Sequence, residues 1–195
     1  MFSLPTTILI DNVEYKIRNK GDYRVIQDCF SALNDLELEH DYRIITSLII
    51  FYECLNDIND IDTYFNTEDK LLQAIKEMFN FFNCNDDNVG ANKPYKLIDW
   101  EKDEQLIVSS INSVAYKEIR SESYIHWWTF MGYFSSIGEC LFSRILNIRE
   151  KIVKGKKLEK YEREFKNENP QYFTWEWKTS EQLAQDKLLL EMWEN

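Results

Sequence analysis

His126 stands between Ile125 and the pair Trp127-Trp128, and it is the one candidate acid or base of this chain set in an apolar run. An imidazole there can move protons, but such work needs a nucleophile, a metal or a polarised substrate beside it. The sequence offers no such companion. There is no glycine-rich phosphate loop, no Gly-x-Ser-x-Gly elbow and no His-Glu-x-x-His pair. Cys29, Cys54, Cys84 and Cys140 are widely scattered without a Cys-x-x-Cys spacing, and only His40 and His126 could complete a metal site. Cys29 and Cys54 fall within apolar helical patterns, where a thiol acts as a small buried hydrophobe, and free thiols in a reducing compartment are expected. Asp86-Asp87 lies in a loop, and Glu101, Asp103 and Glu104 fit the first turn of a helix, whose dipole favours acids. His126 then reads as a hydrogen-bonded structural residue. Neither catalysis, a metal nor a cofactor is expected.

The residues around His126 carry the stronger signal. Tyr124 to Phe134 holds six aromatic side chains. A helix from about 123 to 137 places Tyr124, Trp127, Met131 and Phe134 on one stripe, Ile125, Trp128 and Gly132 on a second, and Phe130, Tyr133 and Ile137 further round. Such a helix is apolar on nearly every side, which suits either the centre of a core or a surface that a partner covers. Tyr124, Trp127, Met131 and Phe134 are therefore candidate partner-binding residues. Trp175, Trp177 and Trp193, in a C-terminal stretch rich in large apolar groups, are the others.

Composition limits the classes open to the chain. With 44% hydrophobic residues, three prolines and five glycines in 195 positions, the balance favours helices over a turn-rich sandwich. The longest apolar stretch, around Ile44 to Tyr52, is broken by Thr46 and Ser47 and is too short to span a membrane. The first residues lack the basic start of a signal peptide. A soluble, intracellular protein without a membrane partner is expected. The formal net charge is −11, yet residues 143–166 hold nine Lys and Arg against four Glu, a local +5 that leaves −16 elsewhere. An acidic surface repels phosphate backbones, so no nucleic-acid partner is expected. The basic run Lys151, Lys154, Lys156, Lys157, Lys160, Arg163 and Lys166 alternates with Glu159, Glu162 and Glu164, the pattern of a solvated helix face.

Periodicity outlines a mainly α fold, a helical domain of about six to eight helices with a small N-terminal β-hairpin. Residues 7–17 read as two β-branched runs around an Asp11-Asn12 turn. Asp22 reads as the N-cap of a helix carrying Val25, Ile26, Cys29, Phe30, Leu33 and Leu36. A second helix spans about Asp41 to Leu55, followed by an acidic loop through Asp62. A third runs from Thr67 to Phe82 with Leu71, Leu72, Ile75, Met78, Phe79 and Phe82 inward. The loop 83–97 divides two helical halves of one domain, 1–172. Asp99 is placed as the cap of a fourth helix, and the aromatic helix, a helix through Leu141 to Ile148 and a charged helix ending before Pro170 follow. Residues 173–195 read as an extension that docks either on its own domain or on a neighbouring subunit, and the second, which would give a homo-oligomer, is the favoured expectation.

Lys96-Leu97-Ile98-Asp99-Trp100-Glu101-Lys102-Asp103-Glu104-Gln105-Leu106-Ile107, then Ile125-His126-Trp127-Trp128-Thr129-Phe130, then Ile145 and Arg149, resemble the bacteriophage gp fifteen tail-module family. Leu4-Pro5, Ile10-Asp11, Tyr15-x-Ile17, Asp22-Tyr23-Arg24 and Phe81-Phe82-x-Cys84 follow that family's order, so the resemblance runs from Leu4 to about Tyr172. Three departures stand out. Asn12 replaces a turn glycine, two extra residues separate Ile17 from Asp22, and the family's Cys-Gly is Cys84-Asn85 here.

What the resemblance implies is a phage or prophage protein of virion morphogenesis in the host bacterial cytoplasm. It would be similar to tail assembly chaperones that coat the tape measure protein and leave before the tail is finished, with the tail tube protein as a second possible partner. Two other readings stay open. One is a structural tail component retained in the virion, the other an acidic phage effector that binds a host protein.

Overall fold

Asp11 and Asn12 both take positive φ, 48° and 60°, the backbone of a tight hairpin turn whose twist matches that of its strands. They join β1 (Thr7–Ile10) to β2 (Val13–Lys16), with Ile8 opposite Tyr15 and Ile10 opposite Val13. The computed structural model describes residues 3–35, 37–86 and 97–174. Alternation sends Ile8, Ile10 and Tyr15 inward and leaves Leu9 and Glu14 outward. Two strands are not stable alone, and these rest on the helices that follow.

Those helices are α1 (Tyr23–Asn34), α2 (His40–Phe51), α3 (Asn59–Tyr64), α4 (Glu68–Phe82), α5 (Glu104–Ala115), α6 (Trp127–Ser135), α7 (Leu141–Val153) and α8 (Lys160–Glu168). The mainly α fold with an N-terminal hairpin is thus observed, with eight α-helices among the described residues. Asp22 caps α1 by accepting the Arg24 amide, and Thr67 caps α4 by accepting that of Lys70, as the sequence predicts.

Several boundaries move, each for a tertiary reason. α2 stops at Phe51, because Tyr52 leaves the helix to bridge Ile17 and the Arg18 guanidinium collects the carbonyls of Ile49, Ile50, Tyr52 and Leu55. Cys54 therefore lies in a turn and not in a helix. The acidic loop contains α3, held because Ile61 and Phe65 are buried while the Asp60 carboxylate accepts the Asn56 amide at 2.7 Å. Leu72 is exposed, since the inward ridge of α4 runs through Ala74, Ile75, Met78, Phe81 and Phe82. Asp99 caps a turn and not α5: its carboxylate accepts the amides of Glu101 and Lys102, and the helix starts at Glu104.

The chain divides into two compact units, Met1–Gly90 with Ile111–Ser136, and Ala91–Ser110 with Ile137–Asn195. The first is centred on Ile10, Ile17, Ile26, Phe51, Tyr52, Phe81, Trp127 and Phe130, all essentially removed from solvent. The second is centred on Ile107, Val108, Phe142, Ile145 and Ile148. Among the described residues no helix is long and apolar enough to cross a membrane.

Candidate partner-binding surface

His126 starts α6. Its Nδ1 accepts the Trp128 amide at 3.1 Å, the N-cap bond, so Nε2 carries the proton and donates to the Pro5 carbonyl at 2.9 Å. Burial pulls the imidazole below its ordinary pKa, against the opposing pull of the Pro5 bond and the Asp22 charge. Both ring nitrogens are thereby engaged in holding the chain together. The helix cannot begin earlier. The Ile125 amide donates to the Asp22 carboxylate and the Ile125 carbonyl accepts the Tyr23 amide, which holds residues 125–126 in an extended bridge. The expected helix from 123 is shortened for that reason, and Tyr124 and Ile125 lie outside it.

The next two side chains close the end of a different helix. Trp127 donates its indole N–H to the Phe82 carbonyl at 2.9 Å and Trp128 donates to that of Phe81 at 3.0 Å. Both carbonyls belong to the last turn of α4, beyond the reach of the usual i+4 amide, and that of Phe81 also accepts the Cys84 amide at 3.0 Å. Trp127 is 1% exposed and stacks on Phe130, which stacks in turn on Tyr23 with centroids 4.7 Å apart.

The stripe of candidate partner-binding residues is therefore split. Trp127 lies in the core of the first unit. Met131 and Phe134 are half-buried on the flank of α6, and Tyr124, 39% exposed, precedes the helix and donates its hydroxyl to the Lys20 carbonyl. Trp175, Trp177 and Trp193 lie outside the described residues.

A family model described as Bacteriophage Gp15 protein matches residues 2–173. The chain belongs to this family. No curated protein and no solved structure matches it.

The Gp15 residues that stand out in the sequence turn out to be joints of the fold. Asp22, fully buried, holds Arg24 and the Ile125 amide, and Arg24 reaches the Glu122 carbonyl at 2.6 Å. Asp103 is a correction to the sequence reading. It is not a surface acid answering the helix dipole but a buried partner of Arg149, whose Nη1 and Nη2 reach its carboxylate while Nη1 and Nε also donate to the carbonyls of Leu97 and Tyr172. The departures from the family pattern sit where backbone geometry is special. Asn12, Cys84 and Asn85 have positive φ, and the two extra residues fall in a run of left-handed backbone at Asn19, Lys20 and Gly21. Asparagine tolerates that conformation best after glycine.

Cys140, whose role the sequence did not suggest, caps α7. Its Sγ accepts the Ser143 amide and lies 3.5 Å from the Ser110 hydroxyl. Burial raises the thiol pKa, but the hydrogen bonds from Ser110 and Ser143 outweigh it and leave the group below its ordinary value. Cys29 is the opposite case, pushed up to about 12 by burial. The four cysteines are free.

Proposed function

We propose that this Gp15 family member is a tail assembly chaperone that binds the tape measure protein during tail morphogenesis in the host cytoplasm and does so without catalysis. The family match over residues 2–173 carries the reading. The distribution of surface chemistry supports it. A long helical tape measure exposes apolar surface until the tube encloses it, so its carrier needs apolar contact groups on a soluble, charged exterior. Tyr124, Met131 and Phe134 offer such groups on a chain of net charge −11. The engagement of both His126 nitrogens in fold-holding bonds supports the non-enzymatic part of the reading.

Co-expression with a tape measure fragment that aggregates alone tests it, with the fragment expected to remain in the soluble fraction. Mass spectrometry of purified particles separates this role from the structural one. A chaperone is absent from them, whereas a fixed stoichiometry in the particle would establish a retained tail component instead.

A further inference from the structure

Among the described residues, the edge of β1 turned away from β2 is unpaired. The two-residue turn makes Ile10 and Val13 a hydrogen-bonded pair, and the Ile17 amide reaches the Thr6 carbonyl at 3.0 Å. By the alternation of an antiparallel ladder, the backbone N–H and C=O groups of Thr7 and Leu9 then point away from β2. Among the described residues no hydrogen bond takes them up. The outer edge of β2 differs, since the Lys16 carbonyl accepts the Glu53 amide and Ile17 bridges Tyr52.

Protein edges of this kind are ordinarily blunted by a charge, a proline or a bulge. Thr7-Ile8-Leu9-Ile10 has none of these and is limited only by its length of four residues. Leu9 is 58% exposed on its outer face, and Val13, across the turn, is 48% exposed.

We propose that β1 pairs with β1 of a second copy of this chain, antiparallel about a two-fold axis at Ile8, to form a four-stranded sheet across a dimer. Register selects this arrangement. With Thr7 opposite the partner's Leu9, all the free groups on both edges are used, in roughly four hydrogen bonds. A slip in one direction sets Leu9 opposite Pro5, which has no N–H and whose carbonyl already holds His126. A slip in the other sets Thr7 opposite Asp11, inside the turn.

Charge selects the occupant. At −11 overall, most faces of two copies repel one another. β1 carries no charge at all, and its outer-face neighbours on β2 are Glu14 beside Leu9 and Lys16 beside Thr7. In the paired sheet each outer row runs Glu14, Leu9, the partner's Thr7, the partner's Lys16, which opposes no like charges and ends on opposite signs.

Sedimentation velocity of the full chain, over a series reaching several hundred micromolar, tests the pairing. A concentration-dependent dimer is expected. Leu9→Pro removes an outward N–H while leaving the bonds of β1 to β2 intact, a substitution that edge strands accept. Leu9→Lys keeps the backbone and places one positive charge on each side of the axis, in the same outer row as the partner's Lys16. Both are expected to halve the mass with unchanged circular dichroism, and the Thr7 and Leu9 amides of the parent should exchange more slowly as concentration rises. Should Leu9→Pro fail to fold, Leu9→Lys decides. A chain that stays monomeric throughout the series, or a dimer that survives in the folded variants, overturns the proposal.

Discussion

Arg149 clasps Asp103 in two parallel hydrogen bonds, Nη1 to Oδ2 at 2.6 Å and Nη2 to Oδ1 at 2.9 Å, with both side chains at most 5% exposed. The guanidinium also donates to the Leu97 and Tyr172 carbonyls, and the Asp103 carboxylate accepts the Asp99 amide. One side chain thus fastens α7 to the start of α5, to Leu97 ahead of it and to the turn after α8.

Removing one partner leaves an uncompensated charge in a dry site. Arg149→Met is expected to destabilise its unit by about 3–5 kcal/mol. Asp103→Leu added to it should recover part of that loss, because the orphaned carboxylate is gone while the Leu97 and Tyr172 carbonyls still lack their donor. Urea unfolding of the two variants measures the difference; a double variant no more stable than Arg149→Met would show that the stranded charge is not the cause.

His126 makes stability depend on pH. In the unfolded chain an imidazole takes up a proton near its ordinary pKa of about 6.5, whereas the folded site resists protonation because of burial. The unfolded state binds the extra proton as pH falls, so this contribution is present in full above that pH and is lost on passing below it. A proton on Nδ1 would also abolish the bond from the Trp128 amide. Thermal melts between pH 7.5 and pH 5 should fall for the parent, and fall less steeply for His126→Asn, which keeps a capping oxygen but does not titrate. Equal slopes would assign the pH response to other groups.

The hairpin, α1 and α4 were legible because local chemistry decides them: Asp11-Asn12 for the turn, Asp22 and Thr67 for the caps. What sequence reasoning missed is set at long range. Nothing near Tyr52 announces that Arg18 will take the carbonyls at the end of α2, and nothing near Ile125 announces its bridge to Asp22. Asp103 misleads for the same reason. A local rule explains an acid at a helix start, and only the partner 46 residues away reveals the buried pair. The candidate surface was partly legible, since the aromatic stripe assumed a helix that begins before Tyr124, and the bridge at Ile125–His126 removes that residue from it.

Gly21 tests the same joint from the other side. Its φ of 76° is open to glycine, and a Cβ there would stand 2.7 Å from Phe81 Cζ and 3.3 Å from His126 Nε2. Gly21→Ala therefore combines backbone strain with a collision against the Trp-capped end of α4, and a loss of about 1–3 kcal/mol is expected from the strain alone. Denaturant midpoints measure it. A neutral result would mean that the chain between Arg18 and Asp22 can reshape without disturbing His126.

The aromatic helix separates folding from binding, because its side chains are not equally placed. Trp127→Ala should cost on the order of 3–5 kcal/mol through the cavity it leaves between Phe30 and Phe130 and the loss of its bond to Phe82. Trp128→Ala, from a half-buried site, should cost less. Tyr124→Ser with Met131→Ser removes apolar surface that solvent already reaches and the one bond from Tyr124 to the Lys20 carbonyl, so only a small fall in melting temperature, that of about one hydrogen bond, is expected. If the flank of α6 holds the tape measure, this double variant should let a co-expressed tape measure fragment pellet while the variant itself remains folded and soluble. Because the contacts are apolar, added salt should change the parent's holding activity little. A folded double variant that holds the fragment as well as the parent would move the binding surface away from α6.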